Sequence, residues 1–220
     1  MDQATSEPSM VSTNVNHYSE LLALHPALGA GAVGWSEASQ KVRFGVVADF
    51  LRMNGAGLAR FSLLDVGCGL GALRGHLNGM PVQYRGVDLL ADKYRDAILD
   101  SDPQADVSWL HQANLENMDP AQWASDFTVA VGTFGCKWPN RDAELPRLLQ
   151  TMWDMSRLGM VVLMISSLAP AALRAKITVA VDDPCLWMRW AAERAPRFTI
   201  RHDYLPHDFA LCMLRAPFED

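Results

Sequence analysis

Three alternate glycines, Gly67, Gly69 and Gly71, directly follow a short apolar run, Phe61–Val66. The apolar run predicts a buried strand, and the periodic residues 70–77 predict a helix. Glycines let the backbone turn sharply and approach a ligand closely, because no Cβ stands in the way. The start of the following helix offers unpaired N–H groups. This strand–loop–helix unit is therefore a candidate ligand site.

From residue 61 onward, strand patterns and helix patterns alternate along the chain. The helical runs are residues 70–77, 91–99, 142–156 and 182–195. The strand-like runs are residues 61–66, 83–89, 107–112, 127–132, 160–165, 198–204 and 209–215. This alternation predicts an α/β fold with a mainly parallel sheet that helices cover on both faces. The last two strands are joined only by residues 205–208, whose Pro and Asp are typical of a turn, so we expect a C-terminal antiparallel hairpin.

The residues before the first strand have no place in this sheet. Residues 1–16 are polar and predict a loose tail, and a short helix is expected over residues 18–24. A longer helix is expected to begin after Ser36, a favourable N-cap. We therefore divide the chain into residues 1–58, a tail with helices, and residues 59–220, an α/β ligand-binding domain, within one structural unit.

The charge balance argues against two kinds of partner. Nineteen Lys and Arg residues against twenty-five Asp and Glu residues give a net charge of −6. That sign disfavours nucleic acid and anionic membranes, and the longest apolar run, residues 160–165, is too short to span a bilayer. The N-terminal residues show no secretory signal, and Cys68, Cys136, Cys185 and Cys212 form no C-x-x-C pair. We therefore expect a cytoplasmic protein with no zinc site, no disulfide framework and no membrane partner.

Two classes of cofactor use a glycine loop of this kind. Gly67, Gly69 and Ala72 satisfy the dinucleotide pattern G-x-G-x-x-A, with Asp88 placed to bind a ribose. Asp65, two residues before the first glycine, decides between them, because its carboxylate would repel a pyrophosphate and attract an amino group. S-adenosylmethionine carries such a group and a ribose diol. The residues therefore favour S-adenosylmethionine over NAD.

Residues 61–215 resemble the class I S-adenosylmethionine-dependent methyltransferases. The resemblance is carried by residues 64–71, Leu-Asp-Val-Gly-Cys-Gly-Leu-Gly, and by Gly86-Val-Asp88. It implies a Rossmann-like fold with a mainly parallel seven-stranded sheet, a glycine loop facing the methionine part of the cofactor, and Asp88 binding both ribose hydroxyls. Asn114 occupies the adenine-contacting position, where an aspartate is commoner, and is equally typical of a turn. The cofactor-binding residues expected on this basis are Asp65, Gly67, Cys68, Gly69, Gly71, Asp88, Leu89, Asn114, Leu115, Gly132 and Arg43.

The N-terminal pattern of Tyr18, Trp35, Gln40 and Arg43 looks like a bacterial branch of small-molecule or uncharacterised methyltransferases. In enzymes of this type, N-terminal helices resemble a lid over the cofactor, so these residues are expected to close the site. Arg43 would pair with the cofactor carboxylate or with an acidic substrate. Considered alone, it is equally typical of an exposed helix face.

The acceptor is expected beyond the carboxyl ends of the strands, where open α/β sheets bind ligands. Residues 132–138 follow the fourth strand and lack the Asp/Asn-Pro-Pro-Phe/Tyr motif of enzymes that methylate DNA bases and glutamine. This further disfavours a nucleic-acid acceptor. Phe134 is also typical of core packing, and two further candidates, His202 and Tyr204, are expected to share one strand face. The residues expected to bind the acceptor are Tyr18, Trp35, Gln40, Thr133, Phe134, Trp138, His202 and Tyr204.

Methyl transfer from a sulfonium is an in-line displacement that needs alignment and exclusion of water rather than a metal. A base is needed only where the acceptor must lose a proton, and His207 is the candidate, although it also suits a turn. We expect an N- or O-methyltransferase for a small-molecule metabolite, acting as a monomer or a homodimer.

Two other functions stay open. An NAD-dependent oxidoreductase would need a Tyr-x-x-x-Lys pair or a dedicated substrate domain, and no tyrosine here has a lysine four residues on. The third possibility is a partner subunit that binds the cofactor without catalysis.

Overall fold

A seven-stranded sheet forms the centre of the computed structural model, which describes residues 8–217. The strands are β1 Phe61–Val66, β2 Val82–Asp88, β3 Leu110–Gln112, β4 Ser125–Val131, β5 Ser156–Ile165, β6 Arg197–Arg201 and β7 Asp208–Leu214. Their order is β3-β2-β1-β4-β5-β7-β6. Strand β7 is antiparallel to β5 and β6, and the other neighbouring pairs are parallel. The predicted fold class is confirmed.

Eight α-helices surround the sheet within the described range. They are α1 Met10–Leu24, α2 Glu37–Asn54, α3 Ala72–His76, α4 Ala91–Ser101, α5 Pro120–Trp123, α6 Arg141–Met155, α7 Ala171–Arg174 and α8 Pro184–Ala192. Two short 3₁₀ helices cover Ala30–Val33 and Leu115–Asn117. None of the helices between residues 8 and 217 combines the length and the apolar character needed to cross a membrane.

The core lies on both faces of the sheet because consecutive strand residues point to opposite sides. Leu63 belongs to the apolar cluster that includes Leu51 of α2. Its neighbour Leu64 belongs to the cluster that includes Leu149 of α6 and Trp187 of α8. Both strand leucines are fully buried, which contributes about 1.5–3 kcal/mol each. The strands read as continuous apolar runs because neither face meets water.

Helix α1 begins well before the predicted position. The polar residues 1–16 predicted a loose tail, but the chain is helical from Met10; residues 1–7 of that prediction lie outside the described residues. The Ser9 hydroxyl accepts from the Ser12 N–H, and the Ser12 hydroxyl accepts from the Ser9 N–H, forming a capping box. Asn14 is buried and donates to the Met10 carbonyl. The cap and a buried helix face outweigh the polar composition of this segment.

Strand β3 is shorter than predicted, since it begins at Leu110 rather than at residue 107. The Asp106 carboxylate accepts from the N–H of Ser108 at 3.0 Å, and this local turn competes with strand pairing. Strand β5 is longer than predicted, because its pairing with β4 begins at Ser156.

The strand β6 ends at Arg201, and the chain then bends. Asp203 forms an ion pair with Arg201 at 3.1 Å across this bend. His202 and Tyr204 therefore lie beyond the strand, and the prediction that they share one strand face is wrong.

Residues 166–183 connect β5 to α8, and we call them the crossover segment. The N–H of Ser167 donates to the carbonyl of Asp182 at 2.8 Å, so the two ends of the segment meet. The N–H of Ala180 donates to the carbonyl of Gly135 at 2.8 Å, in the turn after β4. The segment is thus held at the carboxyl edge of the sheet.

A buried ion pair fastens the crossover segment to α6. Arg141 donates to both carboxylate oxygens of Asp182, at 3.0 and 2.7 Å, and to the Phe134 carbonyl at 2.9 Å. The two side chains are only 9% and 7% exposed. Trp187 adds a donor to the same carboxylate at 3.3 Å. Each charge in this pair depends on the other, because neither reaches water.

We expect Asp182→Ala to destabilise the fold by about 3–5 kcal/mol, because it leaves the Arg141 charge buried without a partner. Denaturant unfolding measures this change in the free energy of unfolding. Asp49→Ala is the matched control, because Asp49 pairs with Arg52 where the side chains are 56% and 60% exposed. Equal losses in the two variants would contradict this account of the crossover segment.

Candidate functional site

The strands β1 and β4 are neighbours at the centre of the sheet, and the chain leaves them in opposite directions along the sheet. Such a reversal opens a crevice at the carboxyl ends of the two strands. The glycine loop, residues 67–71, follows β1 at this point, and Gly132 and Thr133 follow β4. The crevice therefore lies where the sequence predicts the ligand.

The glycine loop packs directly on the turn after β4. The Thr133 hydroxyl donates to the Val66 carbonyl at 2.7 Å. Gly67 has φ +72°, and a Cβ there would lie 2.4 Å from the Thr133 side chain. Gly132, with φ +73°, also has no space for a side chain, because a Cβ there would lie 2.2 Å from the Trp35 ring. A side chain at Gly67 would push the two loops apart, and one at Gly132 would displace the Trp35 ring.

A cavity of about 340 Å³ lies beside this contact, and we call it the glycine-loop cavity. Most of the residues predicted to bind the cofactor or the acceptor line it. They are Tyr18, Trp35, Gln40, Asp65, Gly67, Cys68, Gly69, Asp88, Leu89, Asn114, Leu115, Gly132, Thr133 and Phe134. The sequence pattern thus locates one continuous site, formed by the loops after β1, β2, β3 and β4 and by the N-terminal helices.

Part of this cavity wall could not be found from sequence. Met10 and Asn14 of α1 line it, as do Ala30 and Val33 of the first 3₁₀ helix and Glu37 of α2. Asn14 and Met10 lie in the segment predicted to be a tail. The only local signal for their helix is the pair of serines that form its capping box.

Asp88 joins the glycine loop to the start of α4. One carboxylate oxygen accepts from the N–H of Gly69 and the other from the N–H of Leu90, both at 2.9 Å. Burial raises the pKa of this carboxyl group, and the N–H donors act in the opposite direction. The carboxylate still has lone pairs for hydroxyl groups. Asp88 is therefore both a local cap and a possible diol acceptor.

Asp65 is a buried carboxyl group on the wall of the same cavity. The Tyr84 hydroxyl donates to it at 2.5 Å. Burial raises the pKa of Asp65 to about 7; the Tyr84 hydrogen bond lowers it, and the charge of Asp88 raises it. A cation in the cavity would favour the ionised form. The geometry therefore suits a positively charged ligand group.

Asn114 caps the second 3₁₀ helix while it lines the cavity. Its carbonyl oxygen accepts from the N–H of Glu116, and its amide donates to the Glu116 carboxylate, both at 3.1 Å. The hydrogen bonds of Asn114 in the structure are therefore those expected of a turn residue.

Four residues predicted to lie at the site are elsewhere. Gly71 precedes α3 and packs against Trp109. Trp138 is a core residue rather than a pocket wall, because its indole donates to the Glu144 carboxylate at 2.6 Å. His202 pairs with the Ser166 hydroxyl at 2.7 Å, and Tyr204 packs on the α2 side of the core. Neither of the last two lines the glycine-loop cavity or the second cavity described next.

A second cavity, of about 270 Å³, adjoins the first. The two share walls formed by Tyr18, Val33, Trp35, Gly132 and Phe134. The remaining walls include His17 of α1, Arg43 of α2, the end of β5, the crossover segment, His207 and the start of β7. A molecule in the second cavity would therefore lie next to a ligand in the first.

The sequence suggested that Arg43 contacts the cofactor or lies on an exposed helix face, and its position in the structure differs from both. Arg43 is only 4% exposed and lines the second cavity, not the glycine-loop cavity. It donates to both oxygens of Asp208, at 2.5 and 2.9 Å, and its guanidinium lies 4.7 Å from the centre of the Trp35 ring. His207 also lines this cavity, with a ring nitrogen 3.4 Å from the same carboxylate.

No known family profile matches the chain. The protein named "Putative methyltransferase Rv1506c" from Mycobacterium tuberculosis is 26% identical over 163 residues, which are 71% of this chain and 94% of that protein.

Solved structures of methyltransferases share the fold. Magnesium protoporphyrin IX methyltransferase from Synechocystis with bound S-adenosylmethionine superposes with a TM-score of 0.66 at 11% identity, covering 97% of this chain and 100% of that one. The small RNA methyltransferase HEN1 superposes with a TM-score of 0.54 at 12% identity, covering 83% of this chain and 26% of that one. The fold predicted from the glycine loop and the terminal hairpin is therefore that of known methyltransferases.

We expect Gly67→Ala to weaken binding of S-adenosylhomocysteine at least about tenfold, because a Cβ at positive φ would collide with Thr133 and displace the loop. Calorimetry measures the affinity. Gly75→Ala in α3 is the matched control, because no atom lies within 4 Å of its Cβ position. Equal affinities of the two variants would show that the loop contact does not shape the site.

Proposed function

We propose that this class I S-adenosylmethionine-dependent methyltransferase transfers the methyl group to an N or O atom of a small-molecule acceptor. The observation that carries the proposal is the pair of adjoining cavities at the β1–β4 crevice. One has the glycine loop and two carboxylates that suit S-adenosylmethionine, and the other has room for an acceptor beside it.

The charge of the glycine-loop cavity supports S-adenosylmethionine over NAD. Its titratable walls include the acids Glu37, Asp65 and Asp88, and no Lys, Arg or His among the described residues lines it. A diphosphate would find no countercharge there, whereas a sulfonium and an ammonium would. The glycine loop leaves space for the methionine part, with its amino group toward Asp65. Asp88 then takes the ribose hydroxyls, with Leu89, Asn114 and Leu115 beside the adenine.

The cofactor supplies an activated methyl group, and the chain supplies alignment and exclusion of water. Tyr18 and Trp35 line both cavities, so the N-terminal residues border both ligands. We propose that the helices within residues 1–58 act as a lid on the α/β domain of residues 59–220. The first seven residues of that lid lie outside the described part of the chain.

His207 is the proposed base for an acceptor that must lose a proton. It lines the second cavity, and the Asp208 carboxylate beside it would stabilise the imidazolium that forms. Arg43 shares that carboxylate, which limits the effect. An amine acceptor would attack without this base.

Two features support a small-molecule acceptor rather than nucleic acid. The chain carries a net charge of −6, which repels a phosphate backbone. The second cavity, of about 270 Å³, suits a molecule of one or two rings, since a cavity of about 150 Å³ holds benzene. A cytoplasmic location and a monomeric or homodimeric state stay predictions.

Calorimetry of the purified protein with S-adenosylmethionine, S-adenosylhomocysteine and NAD tests the cofactor. We expect the first two to bind and NAD not to bind. Exclusive binding of NAD would support the oxidoreductase alternative. Release of S-adenosylhomocysteine in the presence of a metabolite panel then tests catalysis, and tight cofactor binding with no turnover across the panel would support the partner-subunit alternative.

Asp88→Ala should weaken S-adenosylhomocysteine binding at least about tenfold, because each hydrogen bond to a charged group contributes about 1.5–3 kcal/mol. Calorimetry measures the change, and thermal unfolding checks that the glycine loop and α4 remain folded. Asp96→Ala is the control, since Asp96 is exposed on α4 and lines neither cavity. Unchanged affinity in Asp88→Ala would count against the proposed ribose contact.

Affinity for S-adenosylhomocysteine should fall as the pH drops below about 7, by up to about tenfold per pH unit, because Asp65 must lose a proton before it can pair with the ligand ammonium. Calorimetry between pH 5.5 and about 8 measures the slope. Tyr84→Phe removes a hydrogen bond that lowers the pKa of Asp65, so the midpoint of the curve should move to higher pH. Asp65→Asn should flatten the curve, and a slope that survives this change would refute the assignment.

A further inference from the structure

The guanidinium of Arg43 has a free edge on the second cavity. Its Nε and one terminal nitrogen bind Asp208, and its face stacks on Trp35. The other terminal nitrogen, Nη1, makes no hydrogen bond to any residue between 8 and 217. It is also not completely buried by those residues. Because the side chain is 95% buried and lines the cavity, this nitrogen is a donor available to a ligand there.

Positive charge exceeds negative charge around the second cavity when the ion pairs within the protein are counted as neutral. Both acids in its walls are already paired, Asp208 with Arg43 and Asp182 with Arg141. Lys176, an exposed residue of the crossover segment, also lines the cavity and forms no ion pair with any described residue. The cavity thus keeps a surplus positive charge, in a chain whose net charge is negative.

The two adjoining cavities therefore have opposite electrostatic character. The glycine-loop cavity is acidic, and the second cavity presents cationic donors. An anion in the second cavity would gain charge-assisted hydrogen bonds from Arg43 and Lys176. A doubly charged phosphate would lie close to the Asp208 carboxylate and be repelled, so a singly charged group fits better.

Apolar side chains form another part of the walls of the second cavity. Trp35 and Phe134 line it on the side shared with the glycine-loop cavity, and Ile177 and Val179 line it from the crossover segment. Such walls suit a flat apolar or aromatic body with few polar groups.

We infer that the acceptor is an aromatic or apolar carboxylic acid whose carboxylate binds Arg43 and Lys176. This rests on the proposed function, because it assigns the second cavity to the acceptor. Arg43 is then a binding residue for the acceptor rather than for the cofactor.

The first test uses protein saturated with S-adenosylhomocysteine and three matched ligand pairs. They are indole-3-acetate and indole-3-acetamide, 4-hydroxybenzoate and 4-hydroxybenzamide, and 3-phenylpropionate and 3-phenylpropionamide. Each pair keeps the shape and changes the charge. We expect at least one carboxylate to bind at least about tenfold more tightly than its amide, as one charge-assisted hydrogen bond would produce, measured by calorimetry.

The second test removes the cationic donors. Arg43→Gln combined with Asp208→Asn replaces the ion pair by two amides, so no buried charge is left unpaired. The preference for the carboxylate should fall to near parity. Lys176→Gln is the second variant, and because Lys176 is exposed it should fold normally and reduce the preference a few-fold. Lys137→Gln is the control, since Lys137 is exposed and lines neither cavity.

The outcomes separate the inference from the proposed function. If S-adenosylhomocysteine binds but no carboxylate does, or if the amides bind as tightly, the inference is wrong and the cofactor assignment stands. A preference that survives both the double change and Lys176→Gln also overturns it. If S-adenosylhomocysteine itself does not bind, the proposed function fails, and the inference fails with it.

Discussion

The direct contact between the glycine loop and the turn after β4 determines the shape of the site. These two segments leave adjacent parallel strands, and they touch because Gly67 has no side chain to separate them. Gly132 lets the Trp35 ring approach the same turn. The Thr133 hydroxyl holds the turn to the end of β1. The sheet is thus a rigid support, and the ligand surface is formed by its connecting loops.

The buried acids at this edge of the sheet are stabilised in different ways. Asp182 and Asp208 each pair with a buried arginine, so their charges are balanced within the protein. Asp65 has only the hydroxyl of Tyr84, and its burial therefore disfavours the ionised form. Burying an ionised carboxyl group without a partner costs free energy, and a cationic ligand group would supply that partner. This difference supports the proposals of a cationic ligand group in the first cavity and an anionic one in the second.

Sequence reasoning works best where function depends on local spacing. The glycines, Asp65 and Asp88 lie within one β1–α3–β2 stretch, and their separation along the chain is enough to predict that they meet. The C-terminal antiparallel hairpin was predictable for the same reason, because a short connection between two neighbouring strands permits only an antiparallel pair. These features require no knowledge of distant contacts.

The errors arise where a side-chain contact or a helix cap decides, in one case with a partner far along the chain. From its local sequence, Arg43 is an ordinary cation on a helix. Its burial depends on the ion pair with Asp208, which lies 165 residues later in the chain. Trp138 follows the correct strand, but the Glu144 carboxylate turns its indole toward the core. Helix α1 begins in a polar stretch, and its serine cap and the packing of Met10 in the core make it a wall of the site. Local propensity cannot report such long-range competition.

The indole of Trp35 has a further consequence as the partition between the two cavities. It contacts the backbone of Gly132, stacks under Arg43 and borders both ligand spaces. A molecule that fills one space restrains this ring and so changes the boundary that the other molecule meets. If both proposed ligands bind, their binding equilibria would therefore be linked, and linkage requires that each ligand alter the affinity of the other by the same factor.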